Sequence, residues 1–394
     1  MEAARGPLRH ILNVEDMRLA ARRTLPRAVF DYIDGAAEDE VSRARNRTQF
    51  NDWGLVHRVL NDVGEIDLSV ELLGRTYAAP FGIGPTGLAG LAWPQAEKLL
   101  AQAATMAGIP FCLSTVSSVS LEHVAQESGG PNWFQLYIFR DRDLSFNLLG
   151  RAARAGYDVL VITVDCPIGG NRERDPRNDF TLPLRATHRN VLNTMRKPGW
   201  LLRMARNGSP RPENMVDAAA AAAKDAQGLV AFMNSQLDPS VTWKDVEEAI
   251  TLWKGPVVIK GLLSLEDVRR AVDIGARGVV LSNHGGRQLD GAVSPLTVLP
   301  EVRAVVEDDF AVICDSGFRR GTDIIKALAL GADLVFMGRN TLYGVGAAGA
   351  PGIDHVLKIL KTEMTRAMTL LGTAKVSDIS RANVHFLGPL SAKG

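Results

Sequence analysis

The sequence predicts a (β/α)8 barrel, a TIM-barrel α/β fold, on three observations. Eight short apolar runs each close on glycine or a polar residue, helix-compatible stretches separate most of them, and reactive side chains gather just after the runs. The runs are APFGIGPTG, PFCLSTV, NWFQLYI, DVLVITVD, PVVIKG, GVVLSN, AVICDSG and LVFMGR. Continuous apolar runs suit parallel strands buried on both faces. Eight such units alternating with helices fit a closed barrel better than an open doubly wound sheet.

In chain order, the stretch VEDMRLAARRTLPRAVFDYIDGAAEDE reads as helical and precedes the first run. It predicts an N-terminal cap over about 1–75, ahead of a barrel over about 76–375, within one domain of 1–394. Thr76 to Ala96 carries no charge and is long enough to span a bilayer. Its glycines and prolines, among them Gly82, Gly84, Pro80 and Pro85, instead make it a buried strand with a loop. AEKLLAQAATMAG, LEDVRRAVDIGA and GTDIIKALALGA have helical apolar spacing and stop at glycine, as helices feeding the next strand do.

One connection breaks the rhythm. About 90 residues separate ITVD from PVVIK, far more than a turn needs, which predicts an insertion over about 178–240. Residues 181–212 hold seven basic residues (Arg185, Arg189, Arg196, Lys197, Arg203, Arg206, Arg211) and no acidic ones. They are interleaved with Val191, Leu192, Met195, Trp200, Leu201, Leu202 and Met204, a pattern that suits a segment lying on an anionic bilayer. The competing reading is a solvated helix packed on the barrel. The following DAAAAAAKDA reads as low-complexity helix or linker.

Composition excludes several function classes. A net charge of +1 argues against a dedicated nucleic-acid binder. Cys112, Cys166 and Cys314 show no CxxC spacing, so they read as packing residues in a reducing compartment. No His, Cys and carboxylate cluster stands at ligand spacing, so no metal site is expected. The start, MEAARGPLRHILNVEDMRLAARR, lacks the apolar core of a secretory signal.

In a barrel of this kind the residues past the C-terminal strand ends converge on one mouth. Here these are Thr86 and Gly87; Ser114 and Thr115; Gln135 and Tyr137; Thr163 and Asp165; Lys260; Ser282, His284 and Arg287; Asp315 and Arg319; Gly338 and Arg339. The last two loops, DSGFRRG and MGRNT, each set glycine and arginine before a helix start, the makings of a phosphate site, although either alone could be a plain turn. Ser114, Gln135, Thr163 and Lys260 suit the edge of a flat heterocycle, with a Schiff-base lysine or a structural ion pair as other uses of Lys260.

In LSNHGGRQLD, His284 and Arg287 flank two glycines, so a ligand can approach the backbone while both side chains reach it. Histidine offers a base near neutral pH and arginine a fork for a carboxylate. Asp165 could orient the imidazole, and Arg172 of GGNRERD could supply a second carboxylate contact.

Together these residues resemble the FMN-dependent L-2-hydroxyacid dehydrogenases and oxidases, from LPRAVFDYIDGAAEDE to GRNTLYG, with SNHGGRQLD as the family's active-site signature. The resemblance implies FMN as cofactor and oxidation of an (S)-2-hydroxy acid to the 2-oxo acid. His284 would be the base, Asp165 its partner, Arg172 and Arg287 the carboxylate ligands, and Tyr32 and Tyr137 contacts for carboxylate and hydroxyl. Backbone at Pro85, Thr86 and Gly87, with Ser114, Gln135, Thr163 and Lys260, would hold the flavin ring. Ser282 would add a ring or ribityl contact and Asp315 a ribityl contact, while Gly317, Arg319, Gly338 and Arg339 would hold the phosphate.

Within the family, GPTGLAGLAWP is similar to the mandelate dehydrogenases, since the oxidases usually carry alanine where Gly87 stands; a glycine there would leave room above the ring. The basic insertion is similar to the segment by which mandelate and bacterial lactate dehydrogenases sit on the inner membrane. The resemblance therefore implies (S)-mandelate as substrate, benzoylformate as product, and a quinone or other electron acceptor. It further implies a peripheral place on the cytoplasmic side of the inner membrane, or in the cytoplasm, and a homo-oligomer. L-lactate dehydrogenase and an oxygen-using oxidase are the alternatives.

Overall fold

Each of the eight apolar runs becomes one strand of a closed parallel barrel in a computed structural model that describes residues 8–130, 132–181, 184–216, 232 and 235–388. The alanine-rich DAAAAAAKDA lies outside the described residues. The strands are β1 (Phe81–Ile83), β2 (Phe111–Ser114), β3 (Asn132–Tyr137), β4 (Val159–Thr163), β5 (Val257–Leu262), β6 (Gly278–Leu281), β7 (Ala311–Cys314) and β8 (Leu334–Met337). Each pairs with its sequence neighbours, and β8 closes on β1 with Val335 opposite Phe81. The register sets Ser114 opposite Gln135, Tyr137 opposite Thr163 and Thr163 opposite Lys260. Polar residues that sequence reading groups at one mouth thus stand level on one rim.

Side chains alternate between two cores. Cys112, Trp133, Val161, Val258, Val280, Ile313 and Phe336 fill the barrel interior, with Trp133 edge-on to Phe336 at 5.3 Å. Their neighbours Leu113, Phe134, Leu160, Ile162 and Ile259 face the helices. An antiparallel hairpin, Val70–Leu72 with Arg75–Tyr77, closes the N-terminal end: Leu72 and Tyr77 join the interior cluster, and Trp133 Nε1 donates to Tyr77 Oη at 3.1 Å. The opposite rim is left for chemistry.

The helices are α1 (Val14–Thr24), α2 (Arg27–Asp34), α3 (Val41–Thr48), α4 (Ala96–Ala107), α5 (Leu121–Ser128), α6 (Arg142–Arg154), α7 (His188–Met195), α8 (Pro198–Asn207), α9 (Trp243–Leu252), α10 (Leu265–Asp273), α11 (Pro295–Arg303), α12 (Gly321–Ala329), α13 (Arg339–Ala348) and α14 (Ala350–Leu371). α1 has its ends marked in sequence: Asn13 caps the Asp16 N–H, acidic Glu15 and Asp16 open it, and Arg22 and Arg23 close it against the helix dipole.

The N-terminal helices are knitted to the barrel by one buried carboxylate. Asp34, wholly buried at the end of α2, accepts from Arg18 at 2.6 Å, Arg43 at 2.9 Å, Arg174 at 3.1 Å and Tyr343 at 2.8 Å. These partners come from α1, α3, the single helical turn Arg174–Arg177 after β4, and α13. A short antiparallel pair, Trp53–Leu55 with Val384–Phe386, ties the two ends of the chain together.

In the insertion, α7 and α8 expose Val191, Leu192, Met195, Leu201 and Leu202. Trp200 departs from the bilayer-facing expectation. It is buried, its Nε1 donates to the Leu91 carbonyl at 2.8 Å, and it anchors α8 to the barrel because an indole N–H needs an acceptor once covered. Among the described residues no helix is long and apolar enough to cross a membrane.

Candidate active site

The C-terminal rim opens into a cavity of about 810 Å³. Every candidate site residue lines it except Asp165 and Ser282, which stand behind the wall.

The segment Ser282 to Asp290 builds much of the site, and nearly every polar group in it has work to do. Ser282 Oγ accepts from Lys260 Nζ at 2.8 Å and from the His284 N–H at 2.9 Å, so it braces these two residues. Asn283 bonds Asn46 of α3 at 2.8 Å and accepts the Gly286 N–H at 3.1 Å. Gln288 donates to the carbonyls of Asp165 and Ile168 at 3.0 and 2.9 Å, stitching the loop after β4 to this one. Asp290 accepts the N–H groups of Val41 and Ser42 at the start of α3.

His284, Gly285 and Gly286 have φ of +57°, +68° and +75°, three successive left-handed residues. A Cβ at Gly285 would stand 2.5 Å from Arg339 Nη1, and one at Gly286 2.7 Å from the Arg43 backbone N. The two glycines are therefore demanded by conformation and by close packing. The tight turn they form aims His284 at the cavity.

His284 Nδ1 lies 2.9 Å from Asp165 Oδ1. Burial pushes the His284 pKa down, Asp165 pulls it back up, and Lys260 and Arg172 add to the lowering; the net direction is down. Burial pushes the Asp165 carboxyl up, but the His284 ring and the Lys260 ammonium outweigh it and hold the carboxyl at about 2. The pair is a neutral imidazole backed by a carboxylate. That is the state a general base needs near neutral pH.

Two arginines line the cavity near His284. Burial, with Arg172 and Arg339 nearby, depresses the Arg287 pKa to about 9. Its Nη1 donates to the carbonyls of Tyr32 and Gly35, and its guanidinium lies 5.3 Å from the Tyr32 ring centre. Arg172 Nε is buried with no hydrogen-bond partner. A carboxylate between them would satisfy both.

Lys260 is buried, with Asp315 Oδ2 at 2.9 Å. Burial alone would lower its pKa, yet Asp315 and Asp165 reverse this and raise it. The lysine stays charged, which disfavours a Schiff-base role and suits a site where negative charge develops.

The FMN implied by the sequence is tested by what the wall leaves unsatisfied. Gln135 Nε2 and Thr163 Oγ1 are buried without a partner, whereas Gln135 Oε1 is taken by Ser114 Oγ and the Thr115 N–H. A free donor and a free hydroxyl on adjacent strands fit the polar edge of a flavin. At the other end Gly317 and Gly338 leave backbone exposed at the loops after β7 and β8, with Arg319 beside them and the start of α13 facing in. The three guanidinium nitrogens of Arg339 all donate to carbonyls, of Ile33, Gly285 and Gly35. Two of its five N–H groups remain for a phosphate, along with its charge.

Several site residues escape sequence reading. Cys166, expected to be a packing residue like Cys112 and Cys314, lines the cavity, with Sγ 3.3 Å from Asp165 Oδ1 and 3.4 Å from His284 Nδ1. Its position directly after Asp165 at a strand end was the available signal. Arg43, Asn46 and Arg47 of α3 also line the cavity, and Arg47 donates to the Gly317 carbonyl and to Asp323 at 2.8 Å. Nothing in VSRARNRT announces that this helix seats over the rim. At Gly87 a Cβ would meet Val116 Cγ2 at 2.4 Å, so the space a methyl would take is already filled by Val116.

Comparison with known proteins agrees with this geometry. The family model described as FMN-dependent dehydrogenase matches residues 21–386. The chain is 42% identical over 371 residues to an (S)-mandelate dehydrogenase of Pseudomonas putida, covering 94% of this chain and 93% of that protein. It is 43% identical over 371 residues to an L-lactate dehydrogenase of Xanthobacter autotrophicus, covering 94% and 95%. Among solved structures, the monotopic membrane protein (S)-mandelate dehydrogenase superposes with a TM-score of 0.92 at 41% identity, over 96% of this chain and all of that one. A mandelate oxidase with (S)-4-hydroxymandelic acid gives 0.84 at 37% identity, over 95% and 99%. With the His284–Asp165 pair, the two arginines and a wall suited to a flavin, this chain belongs to the family of FMN-dependent 2-hydroxyacid dehydrogenases.

Proposed function

We propose that the substrate is (S)-mandelate, oxidised to benzoylformate, and that the enzyme works on a membrane surface. The observation that carries the substrate choice is the apolar lining beside the catalytic groups. Phe139, 6.2 Å from the Tyr137 ring centre, lines the cavity with Val116, Ile168 and Leu237. An aryl side chain gives these walls a partner that a methyl group does not. L-lactate is the second reading, since relatives of both names are equally near in sequence.

In this reading Arg172 and Arg287 hold the substrate carboxylate, and Tyr32 and Tyr137 flank it. His284 takes a proton at Nε2, the ring nitrogen not committed to Asp165, and Asp165 stabilises the imidazolium that results. FMN, when bound, supplies the acceptor for the two electrons that leave the substrate. Gln135, Thr163, Ser114 and the backbone of Pro85 to Gly87 hold the ring, Asp315 the ribityl chain, and Gly317, Arg319, Gly338 and Arg339 the phosphate. Lys260 offsets the negative charge that accompanies reduction.

The exposed apolar side chains of α7 and α8, interleaved in sequence with exposed Arg185, Arg189, Arg196 and Arg206, support docking on an anionic leaflet; the cytoplasmic face of the inner membrane and a quinone acceptor complete the proposal. The deciding experiment is anaerobic bleaching of the flavin absorbance by (S)-mandelate and by L-lactate, then reoxidation by a quinone analogue or by air. Faster bleaching by mandelate with slow air reoxidation supports the reading. Faster bleaching by lactate moves the substrate to lactate, and rapid air reoxidation makes the enzyme an oxidase.

A further inference from the structure

We propose that Asp165, Cys166 and His284 form a binding site for a thiophilic divalent cation of the Zn²⁺ type, and that filling it shuts off the base. One oxygen, one sulfur and one nitrogen converge there: Oδ1 to Nδ1 is 2.9 Å, Sγ to Oδ1 3.3 Å and Sγ to Nδ1 3.4 Å. Around tetrahedral zinc, with bonds of roughly 2.0–2.3 Å, ligand atoms stand about 3.3–3.6 Å apart. The triangle already has nearly that size. A second observation points the same way, since Asp165 Oδ2 is buried with no hydrogen-bond partner, a free acceptor beside the three. His284 and Cys166 both line the cavity, which gives the ion a path in and leaves its fourth position for water. A mixed thiolate and imidazole set selects zinc over magnesium or calcium.

The charge balance makes the site tolerable beside Lys260 and Arg172. Zinc displaces the thiol proton to solvent and moves the imidazole proton from Nδ1 to Nε2. The three side chains then carry a thiolate, a carboxylate and a neutral ring, so two positive charges arrive and only one is added net. Burial and Asp165 hold the free thiol well above its ordinary pKa, but a coordinated thiol is deprotonated by the metal itself. The proton on Nε2 is the point of control. That nitrogen can no longer accept one from the substrate, so bound enzyme keeps its substrate site and loses turnover.

Binding stands without the role given to His284, whereas the shut-off rests on it. The test therefore reads both in the FMN-loaded enzyme: calorimetric titration with zinc chloride in a non-chelating buffer, and turnover with the 2-hydroxy acid, before and after a chelator. Wild type should take one zinc tightly and lose turnover on the order of 100-fold, recover with the chelator, and ignore magnesium. Cys166→Ser and Cys166→Ala, checked for retained flavin, should bind zinc at least ~100-fold more weakly, and whatever turnover they have should be indifferent to the same zinc concentration. Equal zinc affinity in wild type and both variants would overturn the site. Tight, Cys166-dependent binding with turnover unchanged would overturn the shut-off.

Discussion

His284 meets Asp165 through Nδ1, 2.9 Å from Oδ1, on a backbone held at a φ of +57° by the two glycines that follow. The relationship leaves Nε2 as the free ring nitrogen and, with burial, favours a neutral ring at rest. Burial lowers the His284 pKa and Asp165 opposes that lowering. As the proposed base His284 works deprotonated, so the acidic limb of kcat/KM should lie below the ordinary histidine value of about 6.5. Asp165→Asn removes the group that raises the pKa. Its acidic limb should shift further down in pH, with the plateau reduced by roughly 10²–10⁴-fold. A pH profile of kcat/KM for both enzymes checks this, and an upward shift in the variant would contradict it.

Removal of the proposed base separates chemistry from cofactor binding. His284→Ala should lose about 10³-fold or more in turnover while the flavin spectrum and its stoichiometry stay as in wild type, because the ring acts on substrate. A variant that keeps most of its activity would sink the assignment.

Asp34 should matter to stability more than to chemistry. Burial alone would push its carboxyl up; the Arg18 hydrogen bond and the Arg43 charge reverse that and hold it well below the usual carboxylate range. Asp34→Asn leaves three arginines facing a neutral group and should cost on the order of 3 kcal/mol in denaturant unfolding. The sign follows from a depressed folded pKa: the stabilisation is complete above the unfolded carboxylate value of about 3.9 and is lost as pH falls below it. The gap between wild type and variant should therefore be flat near neutrality and narrow in acid.

The fold was legible because parallel strands buried on both faces leave unbroken apolar runs, and the eight here each became a strand. The rim was legible for the same reason: a barrel turns strand ends into neighbours, so Gln135, Thr163 and Lys260 could be read as one wall before any contact was known. What stayed hidden depends on which distant segments meet. Arg47 reaches Asp323 across 276 residues, and Asp34 gathers partners from four elements, with no periodicity to announce either. Cys166 was misread because composition assigns a lone cysteine to packing, whereas its place after Asp165 puts it in the cavity. Trp200 was misread because a Trp among basic residues looks interfacial until a carbonyl partner is found beneath it.

Gly87 gives a test of local packing. A methyl there stands 2.4 Å from Val116 Cγ2, so Gly87→Ala must push Val116 aside, at a cost of about 1–3 kcal/mol. Gly87→Ala combined with Val116→Ala should recover most of that loss. Thermal unfolding of the single and double variants measures it. Equal stability of Gly87→Ala and wild type would mean that the loop after β1 yields freely.

If the enzyme docks on a bilayer as proposed, the exposed faces of α7 and α8 are the contact. Leu192 and Leu201 are 53% and 43% exposed, on separate helices, and neither carries the packing that Trp200 provides. Burying each in the interface contributes about 1 kcal/mol, so Leu192→Glu with Leu201→Glu should weaken binding to anionic vesicles by roughly 30-fold. The arginines around them should make wild-type binding fall with added salt, since a charge near the surface is worth ~1 kcal/mol and is screened beyond a Debye length. Turnover with a soluble acceptor should not change, because neither leucine lines the cavity. Vesicle co-sedimentation in low and high salt reads both effects. Binding that ignores the two glutamates but still falls with salt would leave the arginines alone as the membrane contact and remove the apolar face from it.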